Sequence, residues 1–176
     1  ANMFKYLLVF ICCFISPSWA NSVLKTVPNV ELPRYMGKWY EIARIPNTFQ
    51  KSCLREVTAN YSLLASNHVR GINTCRKANG ELFNLEVNGH VQDKTNAKLV
   101  FKISSSWLSW IPMLKADYWI VDLADDYTYA AVATPDSQYL WLLARQPQLE
   151  ESLYQQLVKR VAKQGFAVEK LVKNKI

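Results

Sequence analysis

Alternation with a period of two governs this chain. From Leu82 to Gln92, the residues Phe83, Leu85, Val87, Gly89 and Val91 fall on one face, and Asn84, Glu86, Asn88, His90 and Gln92 on the other. A helix would scatter that pattern around its circumference. A pleated strand sends successive side chains to opposite sides, so the segment reads as a strand buried on one face. Val57, Ala59, Tyr61 and Leu63 alternate in the same way with Thr58, Asn60 and Ser62, and Leu99, Phe101 and Ile103 with Lys98 and Lys102. Tyr139, Trp141 and Leu143 continue the pattern. About eight strands follow, over 37–45, 53–64, 68–76, 82–92, 97–103, 116–123, 127–134 and 139–145. Most joins are short and polar, as at Ala65-Ser66-Asn67 and Ala78-Asn79-Gly80, which favours antiparallel neighbours. Eight one-faced strands close into a barrel or stack as a sandwich, and alternation alone accommodates both.

After Arg145 the period changes. Leu149, Leu153, Leu157 and Val161 recur in steps of four, with Glu150 and Glu151 early and Lys159, Arg160 and Lys163 late. This is an amphipathic helix over about 148–164 whose charges suit its dipole, stopped by Gly165. Phe166-Ala167-Val168 opens a last short strand over about 166–172. The chain has 176 residues, 50% of them hydrophobic and 20% charged, which excludes disorder and fits one domain.

Met3-Phe4-Lys5 leads into an apolar run from Tyr6 to Ile15, followed by Pro17-Ser18-Trp19-Ala20. This is the charged, apolar, small-x-small order of a secretory signal peptide over 1–20, with a short buried helix as the alternative. Residues 21–176 then form the single domain. Ile11, not a small residue, precedes Cys12, which disfavours a lipid anchor. Cys53 and Cys75 would reach an oxidising compartment and form a disulfide, or else remain two free thiols in the core. A hairpin centred near Ser66 sets Cys75 opposite Val57, so a bridge requires the chain before Val57 to curl back.

Gly37-Lys38-Trp39, opening the first strand, resembles the G-x-W motif of the lipocalin family. Asp125-Asp126-Tyr127 is similar to that family's second motif, usually T-D-Y, and Arg145 to its third. With the helix after the last motif, the resemblance runs from about Pro33 to Lys170. It is nearest to the bacterial lipocalins and apolipoprotein D. It implies an all-β fold: an eight-stranded up-and-down antiparallel barrel over about 37–145 with the C-terminal helix packed outside. It also implies structural roles for Gly37, Trp39, Asp126, Tyr127 and Arg145, with the Arg145 guanidinium laid across the indole that closes the barrel.

A barrel of this size holds one small ligand. Alternation aims Tyr61, Leu63, Val69, Asn73, Phe83, Val87, Phe101, Trp141 and Leu143 inward, and the resemblance puts Tyr61 and Trp141 on the ligand. Glu41 also turns inward. An ionised carboxylate there must pair with a buried arginine or tyrosine, or meet a ligand's polar group. The expected ligand-binding set is therefore Glu41, Tyr61, Asn73, Phe83, Val87, Phe101, Trp141 and Leu143. The long join at 104–115 carries Trp107, Leu108, Trp110 and Ile111, and reads as a lid, a dimer contact or a surface touching lipid head groups.

No Ser-His-Asp set, metal-spaced Cys/His cluster or phosphate loop is present, and His68 and His90 are the only histidines. The expectation is a non-enzyme with no metal and no cofactor, and an exported barrel without a recognition motif is a poor nucleic-acid binder. The basic set Lys159, Arg160, Lys163, Lys170, Lys173 and Lys175 is a solvated face or an aid to peripheral membrane contact. The function expected is binding, storage or transport of a fatty acid or lysophospholipid in the bacterial envelope, by a periplasmic or outer-membrane-associated monomer or homodimer. Two rivals are a lipocalin-type enzyme using Glu41 on a lipid or isoprenoid, and a stress-related interaction module using the Trp107/Trp110 loop.

Overall fold

The computed structural model describes residues 23–104 and 115–175. The segment 1–20 with Cys12 and Cys13, expected to be a signal peptide, and the loop carrying Trp107, Leu108, Trp110 and Ile111 lie outside the described residues. Alternation becomes eight long strands: β1 (Gly37–Arg44), β2 (Arg55–Ala65), β3 (His68–Arg76), β4 (Leu82–Val91), β5 (Lys98–Ile103), β6 (Lys115–Leu123), β7 (Tyr129–Ala133) and β8 (Leu140–Ala144). Each is antiparallel to the next. β1 pairs with both β2 and β8, which closes the sheet into a barrel and rules out the sandwich.

The sheet is buried on its inner face, and on its outer face where the C-terminal helix covers β1 and β6–β8. Inside, Val69, Val87, Leu99, Phe101, Ile120, Val132 and Leu143 join Tyr35, Trp39 and Tyr61 in one cluster. Outside, the C-terminal helix α2 (Glu151–Lys163) lays Tyr154, Leu157 and Val161 on Ala43, Val121, Ala131, Ala133, Leu140 and Leu142. β7 is therefore buried on both sides, with Ala130 and Val132 inward and Ala131 and Ala133 under the helix. Small side chains there let α2 approach closely. Arg160 locks the helix by a two-pronged bond to Asp122, at 2.7 and 3.1 Å. Gly165, at φ +96°, takes the left-handed conformation that ends α2.

Three local features depart from the expectations. The four-residue α1 (Leu32–Tyr35) precedes β1 at the closed end. α2 begins at Glu151 instead of 148, because the chain from Gln146 to Glu150 crosses from the barrel to the helix without regular structure. The last strand over 166–172 is a correction: Phe166 is buried under α2, Val168–Lys170 forms a 3-10 turn, and only Val172–Lys173 makes a strand, β9, against β1. Packing of Phe166 into the helix core pulls those residues out of the sheet plane.

Candidate functional site

The floor of the barrel is built from the N-terminal half of β1. Gly37, at φ +92°, turns the chain from α1 into the strand so that Trp39 enters the core with no exposed surface. Its indole Nε1 donates to the Tyr35 carbonyl at 2.8 Å. Arg145 covers the ring, its guanidinium carbon 3.8 Å from the centroid. The same guanidinium donates to the carbonyls of Tyr127, Lys38 and Arg34 at 3.2, 3.0 and 2.7 Å. One planar cation thus ties α1, β1 and the β6–β7 turn together. In that turn Asp126 accepts from the Thr128 amide and hydroxyl, and the Tyr127 hydroxyl accepts from the Glu31 amide at 2.9 Å.

Above the floor stands a layer of phenols. The hydroxyls of Tyr35 and Tyr118 meet at 2.7 Å, and the Tyr61 ring packs against Phe101, Tyr118 and Tyr35. Burial, opposed by the hydrogen bond with Tyr118, pushes the Tyr61 hydroxyl up to about 12. Burial also drives Tyr35 and Tyr118 upward, so at neutral pH the layer is uncharged.

A cavity of about 380 Å³ opens over this layer, within the range of small-ligand pockets. The structure brings Glu41, Tyr61, Asn73, Phe83, Val87, Phe101, Trp141 and Leu143 together on its wall. Phe83 stands at the rim, 37% exposed. Val69 is buried below in the core, whereas Leu63, near the far end of β2, is 38% exposed and does not reach the cavity.

Glu41 is resolved by the pairing arm of its two readings. Its Oε1 accepts from Arg44 and from Asn174, both at 2.8 Å, and its Oε2 from Gln50 at 2.9 Å. Both oxygens are occupied by protein, which leaves the carboxylate poorly placed as a base. Gln50 extends the network, accepting from the Trp141 indole at 2.8 Å and from Asn47 at 2.6 Å. The β1–β2 join is thereby pinned across the mouth, with Phe49 edge-on to Tyr139.

The disulfide between Cys53 and Cys75 is present, with Cα atoms 5.4 Å apart. Glu56, at φ +51°, shifts the β2–β3 register between Arg55 and Thr58, which curls Cys53 back toward β3. His68 and His90 are cross-strand partners, with stacked rings 6.1 Å apart, and line neither cavity wall nor floor.

Sequence reasoning missed Phe49, Gln50, Tyr118 and Asn174. Tyr118 shares the inward face of β6 with Ile120, so alternation could have found it. The first two lie in a join without periodicity, and Asn174 lies far along the chain from the barrel, so no pattern marks them.

A family model described as a lipocalin-like domain matches residues 30–175. The chain is 30% identical to temperature-induced lipocalin-1 of Arabidopsis thaliana, over 85% of this chain and 81% of that one. It is 31% identical to the outer membrane lipoprotein Blc of Citrobacter freundii, over 94% and 88%, and 33% identical to apolipoprotein D of Bos taurus, over 81% and 75%. Among solved structures, insecticyanin from the tobacco hornworm Manduca sexta superposes with a TM-score of 0.67 at 18% identity, covering 87% of this chain and 84% of that one.

Proposed function

The chain belongs to the lipocalin family, known for binding small hydrophobic ligands, and on that premise we propose that it binds, stores or carries a single-chain lipid, a fatty acid or lysophospholipid. The observation that carries this reading is the cavity itself. Its wall is mostly apolar, with Phe83, Val87, Phe101 and Leu143 available to an alkyl chain, and the floor below is sealed by Trp39 and the phenol layer. Asn73 is a polar handle within, and Lys102, Lys115 and Asp117 stand at the open end, where a head group meets water. The tail enters first, because among the described residues the floor under the cavity is made of Trp39 and uncharged phenols, which offer no charge to an ionised head.

Burying about a dozen methylenes at about 0.8 kcal/mol each gives roughly 10 kcal/mol before association costs. Micromolar binding needs no covalent chemistry. With Glu41 held by Arg44, Gln50 and Asn174, a binding protein fits the site better than a lipid enzyme. The relatedness to Blc, named an outer membrane lipoprotein, supports action in a bacterial envelope, reached by the export signal read at 1–20.

The test is mass spectrometry of protein purified under native conditions, together with titration of Trp141 fluorescence by acyl ligands. A co-purifying acyl lipid, or quenching by lysophospholipid that saturates at micromolar concentration, supports the reading. Protein that ignores every acyl ligand offered overturns it.

A further inference from the structure

The barrel has a seam. β1 and β2 pair directly only from Gly37 to Tyr40, opposite Tyr61 to Thr58. Beyond that point Glu56, in its left-handed conformation, carries β2 away, and the C-terminal segment fills the gap. Val172 and Lys173 pair with Arg44 and Ala43, the Asn174 amide donates to the Ile42 carbonyl at 2.9 Å, and the Lys175 carbonyl accepts from the Glu56 amide at 3.1 Å. Backbone groups on both sides of the seam are satisfied by this segment, so the seam is closed to another strand.

Outside it lies a groove of about 470 Å³, distinct from the inner cavity. Tyr40, Ile42, Leu82 and Leu149 give it apolar walls, and Leu82 is 50% exposed there. Glu41, Val57, Thr58 and Thr74 line both spaces, which puts a wall about one side chain thick between them.

The charges in the groove have one sign to spare. Glu56 is held by Arg76 at 2.9 Å, Glu41 by Arg44, and Lys173 by Glu151 at 2.6 Å. Lys38 and Lys175 also line it, and among the described residues no carboxylate lies within ion-pair distance of either. Lys38 extends over the Tyr40 ring, 4.6 Å from its centroid, so its ammonium sits at the boundary of the apolar wall. Cations rimming an apolar trough suit an anionic amphiphile and disfavour a cationic or uncharged one.

We propose that this groove is a second ligand site, which takes a single-chain amphiphile with a carboxylate or phosphate head. The head sits against Lys38 and Lys175, and the first methylenes lie on Tyr40, Ile42, Leu82 and Leu149. The site does not depend on the interior being filled.

Native mass spectrometry with dodecanoate, dodecyl phosphate and uncharged dodecyl maltoside, each below its micelle concentration, tests the proposal on the wild type and on Lys38→Glu/Lys175→Glu. Both lysines are exposed, so the variant keeps the fold, as circular dichroism will verify. The expected result is one more equivalent of either anion than of maltoside, with that equivalent weakened at least tenfold in the variant. Equal response to both anions identifies charge alone as the determinant, and a preference for one names the head group. An anion count that is the same in wild type and variant overturns the proposal. A wild type that binds one equivalent and loses it in the variant upholds the groove and removes the interior reading. One equivalent that the variant retains does the reverse.

Discussion

The Glu41 carboxylate and the Arg44 guanidinium meet at 2.8 Å inside the barrel, although they are three residues apart on one strand. In a regular strand such residues point to opposite faces. A bulge in β1 between Glu41 and Ala43 adds one residue against β8, so Ala43 turns out under α2 and Arg44 turns in beside Glu41. Arg44 then reaches the Cys53 carbonyl at 2.8 Å and the Asn174 side chain at 3.2 Å, joining the mouth loop, the seam and the C-terminal segment.

Removing either partner leaves the other with little water to compensate it, since their side chains are 14% and 7% exposed. Glu41→Leu is expected to cost about 3 kcal/mol, and the double variant Glu41→Leu/Arg44→Met less than the sum of its parts. Urea denaturation of the cycle reads this coupling.

Arg145→Ala should destabilise by about 3 kcal/mol, because the cation–π contact with Trp39 and three charge-assisted bonds to carbonyls go together. Arg145→Lys should recover only part of this, since an ammonium cannot reach three carbonyls while lying flat on the indole. Thermal and urea midpoints, with Trp fluorescence as the probe, give both values.

Opening the bridge by Cys53→Ser/Cys75→Ser should cost about 3 kcal/mol for a loop closed over 22 residues. The loss should extend to ligand affinity, because Cys53 anchors the join that carries Phe49 and Gln50 over the mouth. Comparing urea midpoints and acyl titrations of the two proteins checks both.

A methyl group on Gly89 would stand 2.5 Å from the Phe101 ring. Gly89→Ala should therefore cost about 1–3 kcal/mol from overpacking and push Phe101 toward the cavity. Long-chain ligands should lose more affinity than short ones, as read by titration with a chain-length series.

The buried phenols set the alkaline limit of the fold. Tyr61 ionises near pH 12 when folded but near 10 when unfolded, and Tyr35 and Tyr118 are shifted in the same direction. The unfolded chain thus releases protons first, so stability is fully present below pH 10 and falls as pH rises from 10 toward 12 and beyond. Each such group contributes a slope of up to about 1.4 kcal/mol per pH unit. Tyr118→Phe should flatten the alkaline decline, measured as thermal midpoint against pH, and folded protein should hold these three phenols back from phenolate absorbance.

The strands, the helix and the inward faces were legible because each rests on neighbours two, three or four residues away. Phe83, Leu85 and Val87 alternate whatever the rest of the chain does, and Trp39, Tyr127 and Arg145 stand in a recognisable order. The Glu41 partner was not legible. Arg44 alternates outward on paper, and only the extra residue opposite β8 reverses it.

The amino-acid order alone thus determined about eight strands with one apolar face each and an amphipathic helix after them, since local periodicity fixes which face each side chain must bury. The pairing of β1 with both β2 and β8 decided that the strands close into a barrel. Which residues close the mouth and the seam was decided by tertiary structure. Gln50, Asn174 and Arg44 meet on one carboxylate because a bulge, a disulfide and a returning C-terminal segment converge there, and each of those is a long-range contact that no local period encodes.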